Sequence, residues 1–193
     1  MRQYWSLGKK LMRKRSKIIA HHRLPLDWSA EEVQKWQAVA KLAQQARDEG
    51  KLTVLVTGVF DLFHQEHLTF LKKARAAGNF LMVGIESDLR TKHLKGEGRP
   101  INNQGKRVKD IEETGLADIV EVLPEAFDQP DHHRHLLSLL RPNILAVSSH
   151  TPYLESKRQL VALFGGKLQV VHQHNPNVST TIAIGQRKIN PSD

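Results

Sequence analysis

The sequence predicts an α/β fold: five parallel strands in one sheet with helices on both faces, preceded by a basic arm and a helix. Two observations carry this. Short apolar, β-branched runs alternate along the chain with helical stretches, the pattern of a sheet covered on both sides. The runs are continuous rather than alternating polar and apolar, as strands buried on both faces require. A length of 193 residues and a hydrophobic content of 39% suit one domain with an appendage. The expected division is 1–50 for the extension and 51–193 for the α/β domain.

Taken in order, the chain opens with Arg2, Lys9, Lys10, Arg13, Lys14, Arg15, Lys17 and Arg23 before its first acid, Asp27. These eight charges account for most of the net +9, so the basicity belongs to the arm and the body is nearly neutral. Three readings of the arm stand side by side: a solvated extension packed partly on the body, a contact with an anionic surface of RNA or lipid, and a targeting segment. No apolar segment of a secretory signal follows the charges, and no run approaches a membrane span, so the cytoplasm is the expected location. Cysteine is absent, which excludes disulfides, thiolate metal sites and a cysteine nucleophile. Ser29 with Glu32 forms a capping-box pattern. Val33, Trp36, Ala40, Leu42 and Ala43 then supply an apolar stripe, with Gly50 as the stop.

The organising stretch runs from Leu52 to Gly78. Leu52, Val54, Leu55 and Val56 read as a buried strand, Thr57-Gly58 as its break, and Leu68, Leu71 and Ala74 as the stripe of a helix ended by Gly78. His64 and His67, three residues apart, fall on one helix face. A buried strand feeding a helix start through a glycine turn is an anion site, because unpaired N–H groups and the positive end of the helix dipole point the same way. A histidine pair there also has a plainer explanation as a polar cap.

Phe80 to Ile85 is the second strand. Lys92, Lys95 and Arg99 follow in a glycine-containing segment expected to be a mobile loop within reach of phosphate. Gln104 to Thr114 reads as a helix with Arg107 on one side and Val108 and Ile111 on the other. Strands at 118–123, 144–147 and 168–171 alternate with helices at 131–140 and 153–164. Ser179, Thr180 and Thr181 cap a final helix. Five parallel strands so connected make a Rossmann-like sheet, whose ligands sit at the carboxyl ends of the strands where the strand order reverses.

The segment TGVFDLFHQEH resembles the (T/G)GxFDxxHxGH signature of the cytidylyltransferase-like nucleotidyltransferases. KGEGRPIN (Lys95 to Asn102), Arg107 and VSTT (Val178 to Thr181) fall in that family's order. The subgroup that it resembles most acts on heptose 1-phosphate or glycerol 3-phosphate. The resemblance implies transfer of a nucleotidyl group from ATP or CTP to a phosphorylated small molecule, with Mg2+ accompanying the triphosphate and release of pyrophosphate. It also implies roles. His64, His67 and Lys95 are the catalytic candidates. Gly58, Val59, Phe60, Asp61, Lys92, Arg107, Ser179 and Thr180 are the nucleotide-binding candidates, Asp61 by ordering the turn or the histidines. A homodimer is a further expectation, since many relatives are dimers.

Three positions depart from the pattern. The HxGH glycine is Glu66, Ser148-Ser149-His150 stands where relatives carry GGD or GDD, and His174 stands where some carry arginine. A carboxylate ~5 Å from a phosphate at an effective dielectric of ~20 opposes binding by about 3 kcal/mol. Two functions are therefore expected as alternatives: an active enzyme with a modified pocket, and a catalytically silent binding or regulatory protein.

Overall fold

The computed structural model describes residues 27–125 and 127–173. The basic arm, His174, Ser179, Thr180 and the expected final helix lie outside these residues. Within them the order is α1 (Ala30–Asp48), β1 (Thr53–Gly58), α2 (Gln65–Ala76), β2 (Phe80–Ile85), α3 (Asp88–Lys95), α4 (Gln104–Glu112), β3 (Ile119–Val122), α5 (Pro130–Leu140), β4 (Ile144–Ser148), α6 (Leu154–Ala162) and β5 (Lys167–His172). The five strands form one parallel sheet in the order β3-β2-β1-β4-β5. The order reverses between β1 and β4, which sets a crevice at their carboxyl ends.

The continuous apolar runs are explained by the two cores. Successive side chains of a strand point to opposite faces. Leu55, Met82 and Leu145 therefore meet Trp36 of α1, Leu136 and Leu140 of α5 and Val161 of α6. Val54, Val56, Leu81, Val83 and Ala146 meet Leu71 and Ala74 of α2 and Ile111 of α4 on the other side. Helix α1 begins with the expected capping box between Ser29 and Glu32. Its Trp36 is fully buried and donates its indole N–H to the Val122 carbonyl at 3.2 Å. The helix is thus a member of the sheet's own core. At the amino ends of the strands, Asn143 accepts from the backbone and hydroxyl of Thr53 at 2.8 and 2.9 Å, pinning β4 to β1.

Several expectations need correction. The buried stripe of α1 is Trp36, Val39, Ala43 and Ala46; Leu42 is half exposed, because it falls a quarter turn off that face. Leu52 is likewise exposed, and β1 begins one residue later. Gly78 is required by proximity rather than by a left-handed turn: a Cβ there would stand 2.6 Å from the Leu52 carbonyl oxygen. Lys92 and Lys95 lie in the last turn of α3 rather than in a mobile loop. Arg107 and Ile111, four residues apart on α4, share one buried face, so Arg107 does not face away from Ile111.

Gly166 gives the strictest test of packing. A Cβ at this position would approach the Pro142 carbonyl oxygen to 2.2 Å. Gly166→Ala should lower stability by about 1–3 kcal/mol in urea denaturation, since backbone would have to move. Gly105→Ala, where the nearest atom to a Cβ is a side-chain oxygen at 3.5 Å, should be neutral or stabilising by a few tenths.

Candidate active site

The turn between β1 and α2 is built around Asp61. Phe60 and Leu62 on either side both take left-handed backbone angles, with φ of 54° and 49°. Such angles cost non-glycine residues energy and persist only where the surroundings impose them. Here the imposing group is the Asp61 carboxylate, which is 2% exposed. It accepts from Arg99 Nε at 2.7 Å, from the Ile101 amide at 3.0 Å and from the Asn102 amide at 2.9 Å. Burial opposes its ionisation, but the Asn102 and Ile101 amides and the Arg99 guanidinium outweigh that and hold its pKa below the usual value.

Arg107 braces the same turn from beneath. Its side chain is fully buried and donates to the carbonyls of Val59 at 2.7 Å, Glu86 at 2.9 Å and Asn102 at 3.0 Å, and to Asp88 at 2.6 Å. Four of its five N–H donors are engaged with the scaffold and the side chain has no exposed surface, so Arg107 does not present the expected phosphate contact. Asp61 holds the turn, as the alternative for it anticipated, and its oxygens serve Arg99 and two amides. Arg99 is correspondingly turned inward rather than free in a loop. Lys92 pairs with Glu97 at 3.2 Å and does not line the crevice.

The structure does gather Gly58, Val59, Phe60, His64, His67 and Lys95 around one crevice of about 280 Å3, completed by Val147, Ser148, His150 and Thr151 at the end of β4. This volume is at the small end of ligand sites. Gly58 allows the Phe60 ring beneath it, which would lie 3.0 Å from a Cβ. His64 is the N-cap residue of α2 and makes no side-chain capping bond. The His64 and His67 rings stack with centroids 3.9 Å apart, and Phe60 meets the His67 ring edge-on at 5.4 Å. Among the described residues, neither Nδ1 has a hydrogen-bond partner. Burial, followed by the neighbouring His64, pushes His67 down to about 3. Burial also lowers His64, against the opposing effect of Glu66. Both rings are neutral at pH 7, so each can donate or accept a hydrogen bond without carrying charge.

Sequence reasoning missed three participants. Lys157, in the first turns of α6, lines the crevice from the β4 side; burial lowers its pKa against the pull of Glu86. Glu86, just past β2, is raised to about 7 by burial, with Arg90, Lys157 and Arg107 opposing. His172, at the end of β5, also lines the crevice and binds Glu66 at 2.9 Å. The topological rule could have found Lys157, since a helix that follows a strand in a parallel sheet begins at the carboxyl edge. No local signal points to a pair 106 residues apart. No group of three or more metal-ligating side chains occurs among the described residues.

Comparison with known proteins agrees with this fold. The profile of the cytidylyltransferase-like family matches residues 55–190, from β1 onward. The chain belongs to the cytidylyltransferase-like family. The bifunctional protein HldE of Syntrophotalea carbinolica is 30% identical over 165 residues, covering 85% of this chain and 32% of that protein. HldE of Shewanella denitrificans is 34% identical over 148 residues, covering 76% of this chain and 30% of its own. This chain thus matches about a third of the length of those curated relatives. The crystal structure of a lipopolysaccharide core biosynthesis protein from Thermoplasma volcanium shares the fold. It aligns with a TM-score of 0.52 at 21% identity, over 65% of this chain and 97% of that one. Of the three departures from the family signature, Glu66 and Ser148-Ser149-His150 fall on described residues. No helix among the described residues is long and apolar enough to cross a membrane.

Two outcomes test the site's construction. Arg107→Lys should cost about 2–4 kcal/mol in chemical denaturation, because a point charge cannot replace four directed bonds and is left buried. The second concerns acid. His67 has a folded pKa of about 3, below the ordinary 6.5, so between these values the unfolded chain binds more protons. Its contribution is fully present above pH 6.5 and is lost as the pH falls. Between pH 7 and pH 5 the wild type should lose on the order of 2 kcal/mol more than His67→Gln, read from paired urea titrations.

Proposed function

We propose that the protein is a nucleotidyltransferase that moves a nucleotidyl group from ATP or CTP to a phosphorylated sugar or alcohol, with release of pyrophosphate. The observation that carries this reading is the stacked pair His64 and His67 at an uncapped helix start in the crevice between β1 and β4. An uncapped helix start presents N–H donors and the positive end of the dipole to a bound anion.

In this reading the backbone from Gly58 to Phe60 and the first turn of α2 receive the triphosphate. His64 and His67 hydrogen-bond it and stabilise charge as it develops on the departing pyrophosphate. Lys95 offsets the charge of the α-phosphate and of the incoming phosphate oxygen that attacks it. Ser179 and Thr180 fall within the span of the family match, and the resemblance gives them the β- and γ-phosphates. The protein forms no covalent bond to the substrate. Positioning and electrostatic stabilisation carry the rate. Asp61 is engaged by Arg99 and two amides, and Glu66 by His172. Among the described residues the crevice therefore has no spare pair of carboxylates to hold a divalent ion. Mg2+ enters as the counter-ion of the nucleotide substrate, where it neutralises phosphate charge.

The enzyme reading is preferred to the silent one because Glu66 is drawn toward β5 by His172. Pyrophosphate release from ATP or CTP with heptose 1-phosphate or glycerol 3-phosphate should fall by about 10²–10³-fold in His67→Ala. Release that persists unchanged in that variant would overturn the site assignment. Nucleotide binding without turnover on either acceptor would favour a binding protein.

A further inference from the structure

The family signature's glycine is replaced by a residue with a specific partner. Glu66 lies in the first turn of α2, between the two histidines in sequence, and lines the crevice. Its Oε2 is 2.9 Å from His172 Nε2, and the far side of that ring, Nδ1, is 3.4 Å from Lys73 Nζ. An ammonium has donors only, so Nδ1 must accept, which leaves the ring proton on Nε2 to donate to Glu66. The relay from Lys73 through His172 fixes the tautomer and with it the direction of the carboxylate. His172 is in turn registered on Ser148 of β4, and the Ser149 amide donates to the His172 carbonyl at 2.9 Å. The two departures that fall on described residues, Glu66 and the Ser148–His150 segment, therefore meet on one wall of the crevice.

Among the described residues, Glu66 Oε1 makes no hydrogen bond, and the side chain is 24% exposed. A carboxylate so held repels phosphate oxygens, which carry no protons to offer, and attracts hydroxyl groups, which do. In the proposed nucleotidyl transfer both the acceptor sugar or alcohol and the ribose carry hydroxyls; the ribose is one ester bond from the α-phosphate of the triphosphate that the first turn of α2 receives, and Glu66 stands in that turn. We propose that Glu66, positioned by His172, is a specificity-determining residue that accepts a hydrogen bond from a ribose hydroxyl of the nucleotide, so that the protein selects ribonucleotides over deoxyribonucleotides. Acidic side chains perform this task on ribose in other nucleotide-binding sheets. Here the carboxylate is set from the helix start and anchored across the sheet's end. This inference rests on the nucleotidyl-transfer reading and adds to it the feature of the nucleotide that the wall recognises.

The experiment is calorimetric titration of ATP and CTP, their 2′-deoxy and 3′-deoxy analogues, and inorganic tripolyphosphate into the wild type, Glu66→Ala, His172→Ala and His172→Gln, each first checked for an unchanged melting profile. The wild type should bind at least one deoxy analogue about tenfold or more weakly than its ribonucleotide, the cost of one hydrogen bond to a charged group. In Glu66→Ala that ratio should fall to near one while tripolyphosphate binds more tightly, because a negative charge has left the crevice. His172→Ala should lose the discrimination, and His172→Gln, whose amide can still donate to Glu66, should recover it. Equal ribo-to-deoxy ratios in the wild type and Glu66→Ala overturn the inference while leaving the nucleotide site intact. A wild type that binds neither tripolyphosphate nor any nucleotide overturns the nucleotidyl-transfer reading and this inference with it.

Discussion

The crevice depends on one buried carboxylate. Asp61 sits between two residues forced into left-handed angles and binds Arg99 and the amides of Ile101 and Asn102, some forty residues further on. Arg107 closes the arrangement by binding carbonyls on both sides of it, Val59 in the turn and Asn102 in the clamped segment. A turn with such angles would relax if left to itself. Tied at both ends by charge-assisted bonds in a desolvated setting, it is held open toward the crevice, with the histidine pair stacked at its rim. Charges that the sequence offered to a ligand are thus used to shape the site that receives one.

This explains what was and was not legible before the structure. The sheet could be read because each strand is buried on both faces, and only apolar residues survive there; β2 was placed to the residue. The placement of the histidine pair could be read because an apolar strand, a glycine turn and a helical stripe follow one another there, which sets His64 and His67 at the helix start. Arg107 and Arg99 could not, because residue type announces a charge but not where it points. The spacing of Arg107 from Ile111 did hold the answer: four residues along a helix is one face, and that face is apolar. Lys92 and Lys95 were indistinguishable by type and are separated by a turn of α3, which brings Lys95 to the crevice and sends Lys92 to Glu97.

The fate of Glu66 shows a second limit. Judged alone, an acid near a triphosphate is a penalty, and a point-charge estimate makes it a severe one. Its partner His172 lies 106 residues away on the last strand of the sheet, where no local pattern could reveal it. The pair ties α2 to β5 across the end of the sheet, and so turns a substitution in a signature motif into part of a rebuilt wall.

The strand order has a consequence for how the protein comes to exist. β1 pairs with β2 across a short connection, but its other neighbour, β4, begins 90 residues later, at the Asn143 contacts with Thr53. Closing so long a loop is costly in chain entropy and slow relative to local steps. During synthesis, β1, β2 and the intervening helix can form while one edge of β1 is still unpaired. That edge is a strand hazard until β4 emerges. The crevice, which is the gap between β1 and β4, comes into being only at that late pairing, so the chain has no binding site to offer until most of it has been made.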